Sequence, residues 1–333
     1  MTPLDKLVTC KEGCPIDEAM QILHEHRIEK LPVINDDGKL VGLITSADVE
    51  KQRTFTEAAK DHDGHLRVGG AIGVGGDAIE RAEAMKEAGC DAVFIDAATG
   101  HTARAVALIN QLKAKLPDLP VVAGNVVTAE GAGDLIAAGA AAIKVGVGPG
   151  SICTTRIVAG VGVPQFTAVR EVAPVCKDKG ITLIADGGIR YSGDIIKALA
   201  AGANLVMLGS LLAGTEESPG NLVRSQGRAF KEYRGMGSIG AMRQGSGDRY
   251  GQNSSGKLVP EGVEGRVPYK GPLSQLMFQL MGGVRSGMGY VGAANLAQLH
   301  QQAKFVQITA GGLKESHTHD IHITKEPINY SAT

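Results

Sequence analysis

Two textures of apolar and polar alternation divide the chain. From Pro15 to His26 apolar positions recur with helical period, Lys30-Leu-Pro-Val-Ile34 reads as a strand, Asn35-Asp-Asp-Gly38 as a turn, and Leu40-Val-Gly-Leu-Ile44 as the partner strand. Thr45-Ser-Ala-Asp48 then places a hydroxyl and a carboxylate where a helix start needs them. A unit of about fifty residues buries too little surface to be secure alone, so it is expected to pack against a second copy, which the chain does not repeat. Lys51 to His65 is polar and reads as a linker, residues 51–66.

From Arg67 the pattern changes to short β-rich runs, each followed by a helical pattern: Val68–Val74, Ala92–Asp96, Val121–Val126, Ala141–Val147, Thr182–Asp186 and Asn204–Gly209. That alternation predicts a parallel sheet with helical crossovers. Three helix-to-strand junctions repeat one phrase, around Gly89, Gly139 and Gly202, with glycine where a helix must end in a left-handed turn before an apolar strand. Repetition of one βα unit favours a (β/α)8 TIM barrel over an open sheet, here with about six of the eight strands.

Bulk composition narrows the partners. Lys and Arg total 34 against 35 for Asp and Glu, so no net charge draws the 333-residue chain to nucleic acid or acidic lipid. Apolar runs such as Leu205–Leu208 fall short of a membrane span, and the start at Met1 lacks the pattern of a secretion signal, which together give a cytoplasmic expectation. Five irregularly spaced cysteines, Cys10, Cys14, Cys90, Cys153 and Cys176, read as free thiols.

Five stretches carry candidate chemistry. Gly73-Val-Gly75-Gly76-Asp77-Ala78 after the first strand, with Asp96 ending the next, imitates a dinucleotide-binding fingerprint. Asp77 would repel a pyrophosphate at the helix start, and the βα register continues without a switch point, so an ordinary turn with a helix cap is the favoured reading. Gly146-Val-Gly148-Pro-Gly150-Ser151-Ile152-Cys153-Thr154-Thr155-Arg156 follows the fourth strand. Its glycines bare main-chain groups that can wrap an anion or coordinate a cation, and Arg156 stands near Cys153 to favour the thiolate a nucleophile needs. Asp186-Gly187-Gly188-Ile189 and Gly209-Ser210 end the last two runs, where barrels commonly bind phosphate. Asp186 there suits sugar hydroxyls better than phosphate. Tyr233 to Gly271 is long and aperiodic, which fits a lid or a linker, and Asp248-Arg249-Tyr250 offers a cation and an aromatic to close over a reaction centre. Glu315-Ser-His317-Thr-His319-Asp-Ile-His322 lacks the donors to complete a zinc set and reads as a tail or a subunit contact.

With Gly148-Pro-Gly-Ser-Ile-Cys153-Thr-Thr-Arg156, Asp186-Gly-Gly-Ile189, Gly209-Ser210 and Tyr233-Arg-Gly-Met-Gly237 in that order, the sequence resembles the inosine-5′-monophosphate dehydrogenase family across essentially its whole length. Residues 1–50 resemble the closing half of the CBS module inserted in that family's barrel, and 67–333 the catalytic domain with a flap at about 233–271. The resemblance implies NAD-dependent oxidation of IMP to XMP. Cys153 would attack purine C2 and form a thioimidate; Arg249 would act as base toward water, with Tyr250 beside it and Thr155 assisting. Ser151, Gly187, Gly188, Gly209, Ser210, Tyr233 and Gly235 would surround the phosphate, Asp186 the ribose, and Met236, Gly237 and Glu261 the base. Asp96, Asn125, Gly146 and Gly148 would face NAD. Carbonyls of Gly148, Gly150 and Cys153, joined by Glu315, Ser316 and His317 of a neighbouring subunit, would hold K+ in a homotetramer. Ala97 and Ala98 stand where the family often has a hydroxyl.

The family's first two barrel strands have no counterpart here, and an open barrel exposes sheet edges and core. The expectation is a chain that folds poorly and acts weakly by itself, as a fragment or a mis-assigned start would. GMP reductase shares the Cys loop but is expected to lack the CBS unit and the Arg-Tyr pair. A nucleotide-binding or partner role without turnover is the nonenzymatic alternative.

Overall fold

The computed structural model describes residues 2–3, 6–62, 64–252 and 256–330. They form two compact units, 1–67 and 68–333.

The first unit is built as its pattern predicts. Helix α1 (Ile16–His26) follows a short strand β1 (Cys10–Lys11) and precedes the hairpin β2 (Lys30–Ile34) and β3 (Leu40–Thr45). Strand β1 pairs parallel to β2, an addition that two residues of sequence could not announce. Thr45 caps α2 (Ser46–Thr54) by accepting from the Asp48 N–H, while Asp48 accepts from the Thr45 N–H at 3.1 Å. Those bonds hold the Asp48 carboxyl below its ordinary range. Ala19, Leu23, Leu31 and Val49 make the small core. The linker expected from residue 51 is shorter: α2 runs on to Thr54, and a Lys60–Leu66 bridge closes a second turn inside the same unit.

In the second unit, β4 (Gly69–Ile72), β5 (Ala92–Ile95), β6 (Val121–Val126), β7 (Ala142–Val145), β8 (Thr182–Asp186) and β9 (Leu205–Met207) form one parallel sheet in sequential order. Helices α3 (Ala78–Glu87), α4 (Ala103–Lys115), α5 (Ala129–Ala137), α6 (Thr155–Val158), α7 (Gln165–Asp178) and α8 (Ser192–Ala200) lie between them. Sequential order without reversal is the topology of a (β/α) barrel and leaves no switch point, which removes the dinucleotide-fold reading of Gly73–Ala78. The favoured alternative is corrected in one detail, because the Asp77 side chain makes no capping bond to α3. Gly89, Gly139 and Gly202 take positive φ of 86°, 105° and 118°, as the repeated junctions require.

Strand alternation sorts side chains onto two faces. Val93, Ile95, Val121, Ala123, Ile143, Val145, Leu183 and Ala185 point toward the helices, where Ile109, Leu112, Leu135, Val169 and Val172 meet them in the main core. The opposite face carries Phe94, Val122, Ala142, Ile184 and Met207 as a small apolar floor. Period two puts Asp96, Lys144 and Asp186 on that same inner face, above the floor.

After β9 come α9 (Ser210–Ala213), then an antiparallel sheet β10 (Leu222–Ser225), β11 (Arg228–Arg234) and β12 (Glu264–Pro268), with α10 (Ile239–Arg243) and a 3₁₀ turn (Ser246–Tyr250) between β11 and β12. The segment expected to be structureless is therefore a β-arm carrying a short helical tip. Its β-residues escaped detection because Arg266, Glu264 and Glu232 interrupt any apolar alternation. Helices α11 (Leu273–Val291), α12 (Leu296–Gln302) and α13 (Ala310–Ser316) complete the chain, and α11 packs its Leu276, Leu280 and Val284 with Ile195 and Leu199 of α8. No helix among the described residues is long and apolar enough to cross a membrane.

Candidate active site

A cavity of about 700 Å³ opens at the C-terminal ends of the strands, a volume suited to a nucleotide-sized ligand. Its floor is the inner sheet face and its roof is the arm between β11 and β12.

Gly146 and Gly148, at φ of 146° and 81°, start the loop after β7 in conformations a side chain would strain. The loop then turns through Ser151 to Cys153, whose Sγ lies 3.2 Å from Thr155 Oγ1. Two main-chain bonds fasten this loop to the arm: Thr154 N–H donates to Glu261 O at 2.8 Å and Val263 N–H to Ile152 O at 3.0 Å. Arg156 does not stand beside the thiol as expected. Its guanidinium donates to the carbonyls of Val147 (3.3 Å) and Val163 (2.5 Å), so its work is to brace the loop.

Gly187, Gly188, Gly209 and Ser210 line one end of the cavity with Ser151 and Tyr233. The Tyr233 hydroxyl bonds to the Ser151 side chain; burial pushes the phenol above its ordinary range, the Ser151 bond opposes that, and Asp186 adds to it. Bare main chain at the glycines and neutral hydroxyl donors make an anion cradle.

The middle of the floor is ionic. Lys144 Nζ reaches Asp186 Oδ2 at 2.6 Å and Asp96 Oδ1 at 3.6 Å, and donates to Asn125 Oδ1. Asn125 Nδ2 in turn donates to Gly146 O at 2.6 Å and Asp186 Oδ2 at 3.0 Å. The Lys144 side chain is 4% exposed, against 28% for Asp96 and 22% for Asp186. Gln165 ties the strand ends from behind, donating to Val145 O (2.8 Å) and Asp186 O (3.2 Å). Lys144 and Gln165 were not among the sequence candidates. Lys144 was detectable, since a lysine inside Ala-Ala-Ile-Lys-Val is costly to bury unless a carboxylate waits for it.

The arm's 3₁₀ turn supplies the remaining charge. Arg249 forms an ion pair with Asp96, its carbonyl accepts from Ala98 N–H at 3.1 Å, and its Nε is buried with no partner. Its guanidinium lies 6.0 Å from the Tyr250 ring centre. Burial pushes the Tyr250 phenol up and Arg249 opposes this. The Tyr250 hydroxyl crowds Gly237 so closely that a Cβ there would lie 2.8 Å away, which fixes glycine at that position.

Of the sequence candidates, Cys153, Thr155, Arg249, Tyr250, Ser151, Asp186, Gly187, Gly188, Gly209, Ser210, Tyr233, Gly235, Met236, Gly237, Glu261, Asp96, Asn125, Gly146, Gly148 and Gly150 all line this one cavity. Glu315, Ser316 and His317 do not. They end α13, where His317 Nδ1 lies 3.0 Å from the Tyr330 hydroxyl and Ser316 donates to Gly312 O. Among the described residues no group of three or more His, Cys, Asp or Glu side chains is placed to hold a metal ion. The five cysteines are free.

Residues 39–319 match the family described as IMP dehydrogenase / GMP reductase domain, and residues 1–52 match the CBS domain. The inosine-5′-monophosphate dehydrogenase of Aquifex aeolicus is 57% identical over 98% of this chain and 67% of its own length. That of Haemophilus influenzae is 55% identical over 99% of this chain and 68% of its own. The chain thus spans about two thirds of these relatives. A GMP reductase from Trypanosoma brucei, solved with guanosine 5′-monophosphate, superposes with a TM-score of 0.88 at 42% identity over 97% of this chain and 67% of its own. That coverage leaves too few residues unmatched to omit the CBS unit, so residues 1–50 do not separate the two activities as the sequence reading supposed. The chain belongs to the IMP dehydrogenase / GMP reductase family.

Proposed function

We propose that this chain oxidises IMP to XMP with NAD, in guanine nucleotide synthesis, through a thioimidate on Cys153. The observation that carries this reading is the placement of one thiol between an anion cradle and a movable Arg-Tyr pair within a single cavity. Identity of 55–57% to inosine-5′-monophosphate dehydrogenases, against 42% to the GMP reductase, favours oxidation over reduction.

In this reading Ser151, Gly187, Gly188, Gly209, Ser210, Tyr233 and Gly235 hold the substrate phosphate, Asp186 the ribose hydroxyls, and Met236, Gly237 and Glu261 the base edge. Cys153 Sγ bonds C2 and its proton passes toward Thr155 Oγ1. C2 then loses a hydride, which leaves the thioimidate. Water adds to C2 with its proton accepted at Arg249 while Tyr250 and Thr155 orient it. The C2–S bond breaks and XMP departs with the thiolate restored. NAD, when bound, supplies the hydride acceptor. The residues fit it: Asp96 presents a carboxylate to the cavity, and Gly146 and Gly148 leave main chain that a Cβ would block. The Arg249–Asp96 pair fits an arm that covers this region when it is empty and so places its own groups for hydrolysis.

For K+ the fit is partial. The carbonyls of Gly148, Gly150 and Cys153 belong to one loop, but Gly150 O already accepts from Cys153 N–H at 3.1 Å, leaving one lone pair for a cation. When bound, K+ would hold the Cys153 loop in shape, with Glu315, Ser316 and His317 of another subunit of a homotetramer. Free thiols throughout support a reducing, cytoplasmic setting.

Incubation with IMP and NAD, monitored for NADH and XMP, is expected to show turnover. Turnover only with GMP and NADPH would assign the reductase reaction instead, and tight nucleotide binding without either would favour the nonenzymatic role.

A further inference from the structure

The ionic floor and the arm together hold four charges: Asp96 and Asp186 negative, Lys144 and Arg249 positive. Three belong to the sheet and cannot leave. Lys144 lies in the middle of β7, its backbone paired to β6 and β8 on either side, and its ammonium is buried between both carboxylates and Asn125. Arg249 is different. It rides on a 3₁₀ turn flanked by Gly245 and Gly251, both left-handed (φ 119° and 66°), at the tip of an arm whose fixed part is the β11–β12 ladder. Beside it Asp248 packs so closely on the loop after β4 that any side chain at Gly73 would collide with it. The turn therefore plugs the mouth above Asp96 and is joined to the sheet by few bonds, among them Ala98 N–H to Arg249 O.

The three fixed charges sum to one negative charge. Low-dielectric sites do not tolerate an unbalanced carboxylate, so the floor requires one more cation. In the closed arm Arg249 is that cation. When the arm lifts, the vacancy must be filled from the cavity, and the oxidised nicotinamide ring carries one positive charge where the reduced ring carries none.

Resting on the function proposed above, we infer that Asp96, Lys144 and Asp186 form a fixed platform with one negative charge that accepts a single exchangeable cation, either Arg249 or an oxidised nicotinamide. Lys144 is then a positioning residue that sets the platform's charge. The platform discriminates the two redox forms of the ligand by charge, and hydride transfer, which cancels the ligand's positive charge, frees the place for Arg249. One electrostatic device thereby favours entry of the oxidised dinucleotide, release of the reduced one, and closure of the arm for hydrolysis.

The test uses binding to the full chain without IMP, so that no turnover intervenes. NADH fluorescence gives the Kd of the reduced form and competition gives that of NAD+, and the ratio of the two is the readout. The wild-type chain is expected to prefer NAD+ by about fivefold, the scale of one partly screened charge pair. Lys144→Met doubles the negative charge and is expected to raise the ratio; Asp96→Asn neutralises the platform and is expected to bring it toward one. Arg249→Gln, a change on the arm that leaves the sheet intact, is expected to tighten both ligands by removing their competitor while leaving the ratio unchanged. Far-ultraviolet circular dichroism establishes which variants fold, and the arm variant and Asp96→Asn decide the matter if Lys144→Met does not. A ratio that is the same in wild type and Asp96→Asn, or that Arg249→Gln changes while failing to tighten binding, overturns the platform. Absence of binding by either dinucleotide in every variant overturns the proposed function itself.

Discussion

The strand ends and the arm both contribute to one cavity, but the forces that place their side chains differ. On the sheet, Lys144, Asn125 and Asp186 are held by parallel ladders on both sides, by Gln165 from behind and by one another. On the arm, Arg249 and Tyr250 depend on a short 3₁₀ turn and an ion pair to Asp96. A reaction that first expels a hydride and then admits water needs both kinds of support. The phosphate and ribose must not move between the two stages, whereas the group that handles water must arrive only after the first.

The contrast can be broken most severely at the thiol between the two regions. Cys153→Ser is expected to reduce turnover by on the order of a thousandfold or more while IMP still binds, measured by steady-state rates beside calorimetric titration. Loss of binding in proportion to rate would mean that the loop, and not the nucleophile, had been damaged.

On the sheet side, Lys144→Met leaves two carboxylates facing each other without their buried partner. The expected loss is about 3–5 kcal/mol of folding stability, read from urea denaturation. Replacing Arg249 sharpens the contrast, because the arm carries little of the fold. Arg249→Gln is expected to leave the denaturation midpoint nearly unchanged and to slow the hydrolytic stage on the order of a hundredfold. A burst of NADH close to one per site should then precede a slow steady state, and a mutant without a burst would place Arg249 in the hydride stage.

The smallest effect expected is on pH. Burial raises the Tyr233 phenol above its ordinary range, with Asp186 adding to the shift and the Ser151 bond opposing it. A group raised in the folded state contributes fully below its unfolded value, about 10 for tyrosine, and that contribution fades as pH climbs through the folded value. IMP affinity should therefore hold to about pH 10 and fall beyond it. Tyr233→Phe should flatten that decline.

Much of this division was legible in the residues. Glycines at 89, 139 and 202 marked the βα junctions, and the strand-end motifs around Cys153, Asp186 and Gly209 pointed to a common mouth. Pattern reading failed where tertiary context supplies the reason. The β-arm lacked apolar alternation because its strands pair with each other and keep charged residues such as Arg266 and Glu264 exposed. Arg156 looked like a partner for the thiol because it is near in sequence, but the loop's own carbonyls claim it. Lys144 was passed over as part of an apolar run, although its charge was the feature that a buried strand could not accept without partners.

The claim that Cys153 carries the purine is tested most directly by mass spectrometry of the chain quenched during turnover with IMP and NAD. The account predicts a digest peptide containing Cys153 that is heavier by IMP less two hydrogens, and no such addition at Cys10, Cys14, Cys90 or Cys176. Steady production of XMP with an unmodified Cys153 peptide at every quench time, under conditions where hydrolysis limits the rate, would contradict it.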